Sequence, residues 1–433
     1  MLALLDLRTR RERLEPRHLE IDPSIAETVR GIIERVRAEG DAALLELTRR
    51  FDGADLAERG LLVTDDELRA AERAVPPELR ASIDALIERL RDLHRRQLPE
   101  AWTEERGGVR AAEVVTPLRA VGCYVPGGRA VYPSSVAMTV VPAAVAGVAE
   151  IVLTTPPAAD GSVHHAVLYA AARAGATRIA KVGGAQAVAA LAYGTASIPA
   201  VDKVVGPGNV YVTEAKRQLV GVVGIDGLAG PSELVLIADA TADPALLAAD
   251  LAAQAEHDPD AETTFVTPDE GLLRATLQRL EAELAAAPRA EVIRASLAAH
   301  GRAVLVADLE QAVAVANDLA PEHLQIVAAD ARSLAERVRA AGAVFLGPWT
   351  PVPFGDYGVA SNHVLPTSGT ARFASGLRAA DFVTVRSVVE VSAEAARALA
   401  PDVARVAEAE GLAAHARAAL VRAERAAGEE VTG

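Results

Sequence analysis

A single cysteine, Cys123, two methionines and an aromatic content of only 3% mark this 433-residue chain by what it has little of. One cysteine allows no intrachain disulfide, so a disulfide-stapled fold is excluded and a cytoplasmic setting is the default expectation. With so few rings to fill space, the cores must be packed by Ala, Val and Leu. A basic surplus is also missing: 44 Lys and Arg stand against 59 Asp and Glu, a net charge of −15. An acidic chain without a basic stripe argues against nucleic acid as the main partner. Long apolar runs are missing too. A membrane span needs about 20 predominantly apolar residues. Residues 130–149 and 182–201 approach that length, but the first contains Pro133, Ser134, Ser135 and Pro142, and the second Gly183, Gly184, Gln186 and Pro199. Both read as pieces of an α/β core, and no membrane partner is expected. The opening Met-Leu-Ala-Leu-Leu-Asp turns charged at once, the reverse of the order in a secretory signal.

What is present is 51% hydrophobic and 24% charged, ordinary for a globular protein. The length exceeds one typical core, so two or more domains are expected. Residues 23–50 carry apolar positions at helical spacing and stop before Phe51-Asp52-Gly53, a turn signal. A second long helix is predicted over 76–96, with prolines in its first turn. From Ala120 onward, short β-branched runs at 120–125, 151–155, 179–182, 201–205 and 234–238 alternate with Ala-rich helical stretches. The alternation resumes with 263–266, 303–306, 324–327 and 343–346. This is the pattern of parallel βαβ units. Nine strands are many for one doubly wound sheet, so two sheets are predicted, with a junction at Gly227-Leu228-Ala229-Gly230-Pro231. From Asp402 the chain reads as helix only, interrupted at Gly411, and residues 426–433 are expected to fray.

A dinucleotide site would be sought through G-x-G-x-x-G after a strand, and the chain has no clean copy. Gly206-Pro207-Gly208-Asn209 nevertheless follows one predicted strand and precedes a helix, where free backbone N–H groups favour a phosphate. Gly183-Gly184 has the same context, and Pro126-Gly127-Gly128 is a third such turn. On adjacent strands, the first two would frame a crevice at a sheet's switch point. A tight turn without a ligand is the alternative for each.

Of nine histidines, His18, His94, His164, His165 and His300 lie among charged or helix-surface residues and read as solvated. Gln254 and His257, three apart on a predicted helix, share one face and can meet one ion. Asp356 and His363 lie in a Pro/Gly-rich stretch, 347–369, too long for a simple connector. One Asp, a pair of His and an amide oxygen suit zinc. Glu322 and His323 are adjacent, so their side chains should diverge and serve two proton-transfer jobs rather than pair; an exposed Glu-His in a loop is the plainer reading.

Eight motifs then combine in order: Cys-Tyr-Val-Pro-Gly-Gly (123–128), Val-Gly-Gly-Ala-Gln-Ala (182–187), Gly-Pro-Gly-Asn (206–209) with Thr-Glu-Ala-Lys-Arg (213–217), Ala-Gly-Pro-Ser-Glu (229–233), Gln-Ala-Glu-His (254–257), Ala-Pro-Glu-His-Leu (320–324), Gly-Asp-Tyr (355–357) and Asn-His-Val-Leu-Pro-Thr (362–367). Over nearly its whole length the chain resembles histidinol dehydrogenase. The resemblance implies an α/β fold of two incomplete Rossmann-like domains with parallel-rich sheets, plus small helical terminal elements, in an intertwined homodimer. It implies an N-terminal arm (1–28), a discontinuous zinc and catalytic domain (29–123 and 239–376), an NAD-contacting domain (124–238) and a C-terminal dimerisation appendage (377–433). Gln254, His257 and Asp356 match the family's zinc ligands, and His415 a fourth donated by the other subunit, with one zinc per subunit. Glu322 and His323 match its acid–base pair. Ser232, His363 and Glu410, together with the zinc ligands and His323, match substrate-contacting positions, and Tyr124, Gln186 and Asn209 positions that touch NAD. The implied reaction is the oxidation of L-histidinol, through L-histidinal, to L-histidine. The run Gly358-Val359-Ala360-Ser361 departs from the family's usual small-residue loop, although its spacing to Asn362-His363 is kept. Glu410 and His415 are five apart, off a common helix face, and converge only if Gly411 ends one helix and lets another start. Two rival readings are a paralogue acting on another polar alcohol, such as a sulfonated diol, and a zinc hydrolase. The glycine turns speak against the second, which has no use for a dinucleotide crevice.

Overall fold

The computed structural model describes residues 2–10, 12–127 and 130–429, so Gly128 of the Pro-Gly-Gly turn and the last four residues of the tail lie outside the described residues. The chain opens with strand β1 (Ala3–Asp6) and continues with helices α1 (Pro23–Glu39), α2 (Asp41–Asp52), α3 (Asp65–Ala74) and α4 (Pro77–Arg95). The single helix predicted over 23–50 is thus two, because Gly40 at φ +58° breaks the hydrogen-bond ladder; Gly53, in the left-handed region, ends α2 as the turn signal implied. A hairpin of β2 (Trp102–Arg106) and β3 (Val109–Pro117) follows. Then strands and helices alternate: β4 (Ala120–Tyr124), α5 (Pro133–Val145), β5 (Glu150–Thr154), α6 (His165–Ala174), β6 (Arg178–Ala180), α7 (Gly184–Tyr193), β7 (Lys203–Val205), α8 (Val210–Leu219) and β8 (Gly224–Ile225).

A second alternating run holds β9 (Glu233–Ala238), α9 (Pro244–Ala255), β10 (Glu262–Thr267), α10 (Glu270–Ala286), α11 (Ala290–His300), β11 (Gly301–Leu305), α12 (Leu309–Leu319), β12 (His323–Val327), α13 (Ala331–Ala335), β13 (Ala343–Leu346) and α14 (Val352–Asp356). The chain closes with β14 (Val383–Val391), α15 (Ala393–Ala409) and α16 (Ala413–Glu429). All nine strands predicted from apolar runs are present, and the sheets change between β8 and β9, at the glycine-rich junction.

The chain divides into two compact units, residues 1–97 with 118–382 and residues 98–117 with 383–433. The first holds two parallel sheets, with orders β6-β5-β4-β7-β8 and β1-β11-β10-β9-β12-β13. In the larger sheet the strand period of two sorts each strand between two cores. Leu234, Leu236 and Ala238 of β9 pack with Leu247, Leu251, Leu273 and Ile293 of the helices on one face. Val235 and Ile237 pack with Val313, Ala316 and Leu334 on the other. In the smaller sheet, Val29 and Leu44 of α1 and α2 join Val188 and Val212 of α7 and α8 against Ala120, Val152 and Val204.

Each sheet reverses its winding once. The chain leaves β4 toward β5 and β6, then returns to place β7 on the other side, and β9 stands in the same relation to β10 and β12. The Gly183 and Gly206 turns were expected on adjacent strands. They follow β6 and β7, which are consecutive in the chain but separated by β5 and β4, because the crossover to β7 passes back over the sheet. The turns that flank the switch point are those after β4 and β7.

The second unit is a three-stranded antiparallel sheet, β14-β3-β2, with the helix pair α15 and α16 joined through Gly411 at φ +77°. The interruption expected at Gly411 is therefore real. The helix pair shares a small core of Ala404, Ala407 and Ala416, while Val385, Val388, Val389, Val391, Leu399, Val403, Val406 and Leu412 stay exposed. Among the described residues, no helix is long and apolar enough to cross a membrane.

Candidate active site

The chemistry-bearing residues of the first unit collect at the amino ends of β9 and β12. Strand pairing sets His323 opposite Leu234, so Glu233 comes level with Glu322 across the strand gap, with Ser232 one residue before it. Helix α9 returns the chain to that edge: 12 residues at about 1.5 Å each span nearly the same distance as six strand residues at about 3.3 Å. Gln254 thus lies in the last turn of α9. His257, expected on the same helix face, lies beyond the helix, which ends at Ala255. Pro259 disfavours helical geometry at the residue before it, so the helix stops short of Asp258. The loop nevertheless leaves the His257 backbone N–H bonded to the Gln254 carbonyl at 3.3 Å.

Glu322 accepts hydrogen bonds on Oε2 from Ser232 Oγ at 2.7 Å and from the Glu233 backbone N–H at 2.9 Å. His323 is buried, and its Nδ1 donates to the Glu233 carbonyl at 3.1 Å. That bond fixes the neutral tautomer and leaves Nε2 as a bare lone pair. Nε2 lies 3.7 Å from Asp356 Oδ1 and has no hydrogen-bond partner among the described residues. The two adjacent side chains, expected to diverge, approach at 3.4 Å between Glu322 Oε2 and His323 Nδ1. Glu322 precedes the first residue of β12, so the alternation of a pleated strand does not govern it.

Burial dominates the electrostatics. It pushes Glu322 up to about 7 and Asp356 up to about 6, each opposed in part by a histidine. It lowers His323 against the pull of Asp356, lowers His257, and takes His363 down to about 4. The histidines are therefore neutral near pH 7, the form that can accept a proton or bind a metal.

The orphaned polar atoms are informative about a metal. Gln254 Nε2 donates to Ser232 Oγ at 3.1 Å, while Gln254 Oε1 is buried with no partner among the described residues. A buried amide oxygen without a donor costs about 1–3 kcal/mol unless a ligand satisfies it. His257 Nε2 lies 3.9 Å from Asp356 Oδ2. No group of three or more His, Cys, Asp and Glu able to hold a metal occurs among the described residues. An amide oxygen, one His and one Asp make an incomplete set that fits zinc once a further ligand is added. Glu410 and His415, matched by resemblance to substrate and zinc positions, belong to the second unit, where both are exposed at the α15–α16 corner.

His363 is anchored at both nitrogens. Nδ1 donates to the Asp356 carbonyl at 3.0 Å, and Nε2 meets Ser135 Oγ of α5 at 3.1 Å. Its neighbour Asn362 donates to the Met138 carbonyl at 2.8 Å and to His94 Nε2 at 3.3 Å, and His94 Nδ1 meets Gln97 Oε1 at 2.7 Å. His94 was read from sequence as solvated. It is fully buried, in phase with Ile83, Ile87 and Leu90 on the inner stripe of α4. The loop 357–361, where the family pattern is broken, is tied down by Arg89, which donates to the carbonyls of Tyr357 and Gly358.

The glycine turns carry the residues matched to NAD contact. Tyr124 is buried, and its hydroxyl accepts from the Gly184 N–H at 3.1 Å. Gln186 is buried in the first turn of α7 beside Gly184. Asn209 caps α8, accepting from the N–H groups of Tyr211 and Val212. Gly206 sits at φ +111°, and a Cβ there would lie 2.1 Å from the Tyr124 carbonyl, so only glycine fits. A buried ion pair clamps this residue. Asp226 Oδ2 accepts from the Gly206 N–H at 2.7 Å, Lys216 Nζ donates to the Gly206 carbonyl at 2.6 Å, and Lys216 meets Asp226 at 2.6 Å. The sequence reading missed Asp226, Glu233 and Ser135 as parts of either site and left Lys216 without a role.

Comparison with known proteins agrees along the chain. The sequence profile of the family described as histidinol dehydrogenase matches residues 15–423. A histidinol dehydrogenase of Halalkalibacterium halodurans is 48% identical over 92% of this chain and 93% of that relative. One of Moorella thermoacetica is 48% identical over 98% of this chain and the whole of that relative. The crystal structure of histidinol dehydrogenase from Elizabethkingia anophelis superposes with a TM-score of 0.91 at 36% identity, covering 95% of this chain and 94% of that one.

Proposed function

The chain belongs to the histidinol dehydrogenase family, and from that membership we propose that it oxidises L-histidinol to L-histidine in two NAD-linked steps with one zinc ion per subunit. The observation that carries the reading is His323, a buried neutral imidazole whose Nδ1 is committed to a carbonyl and whose Nε2 faces the site without a partner. Hydride leaves a carbinol carbon readily only as the hydroxyl proton is removed, and His323 Nε2 takes that proton. The resulting aldehyde must gain water before a second hydride can leave. Glu322 removes a proton from that water, and His323 then takes the proton of the gem-diol. Overall, one histidinol, two NAD and one water give one histidine, two NADH and the released protons. Bound NAD would supply the hydride acceptor, and zinc a template that orients the substrate's amine and imidazole nitrogens.

Gln254, His257 and Asp356 would hold the metal from this chain, with the unsatisfied Gln254 oxygen supporting that role. The fourth ligand would be His415 from a partner subunit, with Glu410 beside the substrate's imidazole. The exposed valines of β14 and α15 support a homodimer, because single-chain units rarely leave so many apolar residues of one small unit in water. Tyr124 and Asn209 would contact NAD at the switch point of the smaller sheet and Gln186 from the turn after β6, and the two Rossmann-like halves would each retain part of the dinucleotide architecture.

The test is His323→Asn with both half-reactions measured separately, beside the NADH yield per histidinol in the unaltered enzyme. Histidinol oxidation should fall by about 10²-fold or more. A rate within a few-fold of the parent would remove His323 as the base, and one NADH per histidinol would remove the double oxidation.

A further inference from the structure

Glu233 opens a strand that otherwise reads Leu-Val-Leu-Ile-Ala, and it is buried with 8% of its surface exposed. A carboxyl group in that place is costly, and leucine would fill the volume at lower cost unless the acceptor is used. Both carboxyl oxygens and both backbone groups have partners. Oε1 accepts from the Ser368 N–H at 2.6 Å, and Oε2 from the Glu322 N–H at 3.4 Å. Its own N–H returns a bond to Glu322 Oε2 at 2.9 Å, and its carbonyl accepts His323 Nδ1 at 3.1 Å. Glu233 and Glu322 thus exchange reciprocal side-chain-to-backbone bonds across the β9–β12 gap. Ser368, at φ +55°, holds a strained backbone that the Glu233 carboxyl secures, and Thr367 accepts from the Gly230 N–H beside it.

We infer that Glu233 is a positioning residue for the acid–base pair: its side chain, braced by Ser368, fixes the backbone atoms that orient Glu322 Oε2 and set the His323 tautomer. The inference rests on the functional reading above. Burial, with Glu322 and Glu262 nearby, takes the Glu233 carboxyl up to about 8, so it is protonated near neutrality and does not repel the Glu322 carboxylate. A neutral amide that keeps one acceptor toward Ser368 should therefore serve almost as well, whereas an apolar side chain should not.

The experiment compares Glu233→Met and Glu233→Gln with the parent for kcat and KM on histidinol, metal content, and the His323 tautomer by nitrogen NMR of ring-labelled protein, assigned by loss of the signal in His323→Asn. Glu233→Met should lower kcat more than tenfold, with KM within threefold and metal retained, and should turn the Nδ1–H tautomer into a mixture. Glu233→Gln should stay within fivefold and keep the parent tautomer. The inference is overturned if Glu233→Met keeps kcat within tenfold, if it loses metal or KM in proportion, if Glu233→Gln falls as far, or if the tautomer does not change. If Glu233→Met does not fold, Glu233→Ala serves the same comparison. The tautomer reads the inference even if the parent produces no NADH from histidinol, an outcome that would sink the functional reading alone.

Discussion

Replacing Lys216 by methionine keeps the length of the side chain and removes only the ammonium group that closes the clamp on Gly206. Lys216 and Asp226 are 3% and 9% exposed at the side chain, so the ion pair is shielded from water. Breaking a buried pair by removing one partner costs about 3–5 kcal/mol. Asp226 would keep the N–H groups of Gly206 and Gly227, which favours the lower end of that range, but the Gly206 carbonyl would lose its donor at about 1–3 kcal/mol. A loss of about 3–5 kcal/mol at roughly 1 °C per kcal/mol, the scale for a chain of this length, gives a fall in Tm of about 3–5 °C. The double variant Lys216→Met/Asp226→Asn should be less damaged than the sum of its parts, because the uncompensated charge is gone. Functionally, the turn proposed to shape the NAD site should loosen, raising KM for NAD at least fivefold while KM for histidinol stays within twofold. Calorimetry and steady-state kinetics read both. A Tm within 2 °C of the parent, with additive single variants, would refute the clamp.

Three further outcomes are expected. Glu233 ionises at about 8 in the fold against an ordinary 4.5, so the folded protein holds a proton that the unfolded chain has released; this contribution to stability is full below about pH 4.5 and is lost as pH rises through about 8. Glu233→Gln should therefore gain on the parent by up to about 5 kcal/mol between those limits, at about 1.4 kcal/mol per pH unit, and a difference in urea stability that is flat across pH 5–8 would contradict the assignment. Asp356→Ala should lower bound zinc, measured by elemental analysis after dialysis, at least tenfold; full retention would remove Asp356 from the ligand set. Val388→Asp combined with Val406→Asp should convert a dimer to monomer in sedimentation and abolish turnover if the partner's His415 is needed, whereas an unchanged sedimentation coefficient would place the interface elsewhere.

The parallel sheets were legible because strands covered on both faces read as unbroken apolar runs, and Val-Leu-Ile-Ala at 235–238 needs no partner to be recognised. The second unit's sheet was not. β14 pairs with β3 from Val383–Pro117 to Val391–Val109, a separation of some 270 residues that leaves no local trace, and its side chains stay exposed. His94 was misread although its spacing from Ile83, Ile87 and Leu90 already placed it on the inner stripe; its polar neighbours Arg95 and Arg96 obscured the phase. Gln254, His257, Asp356 and the Glu322–His323 pair could be named from resemblance, but not their geometry, since whether adjacent residues meet depends on where β12 begins. Glu233 carried a usable signal in plain view, a lone carboxylate at the head of an all-apolar strand.

Strand β1 sits at the edge of the larger sheet and pairs only with β11, Ala3 facing Arg302 and Asp6 facing Leu305. Once made, β1 therefore waits for a partner strand some 300 residues further along the chain. At about 5–20 residues per second that interval is roughly 15–60 s. Residues 120–225, by contrast, can close the smaller sheet from contiguous chain. Synthesis thus leaves Leu2 and the apolar positions of β1 without their partner strand for that interval, and the completed edge appears only after β11 has emerged.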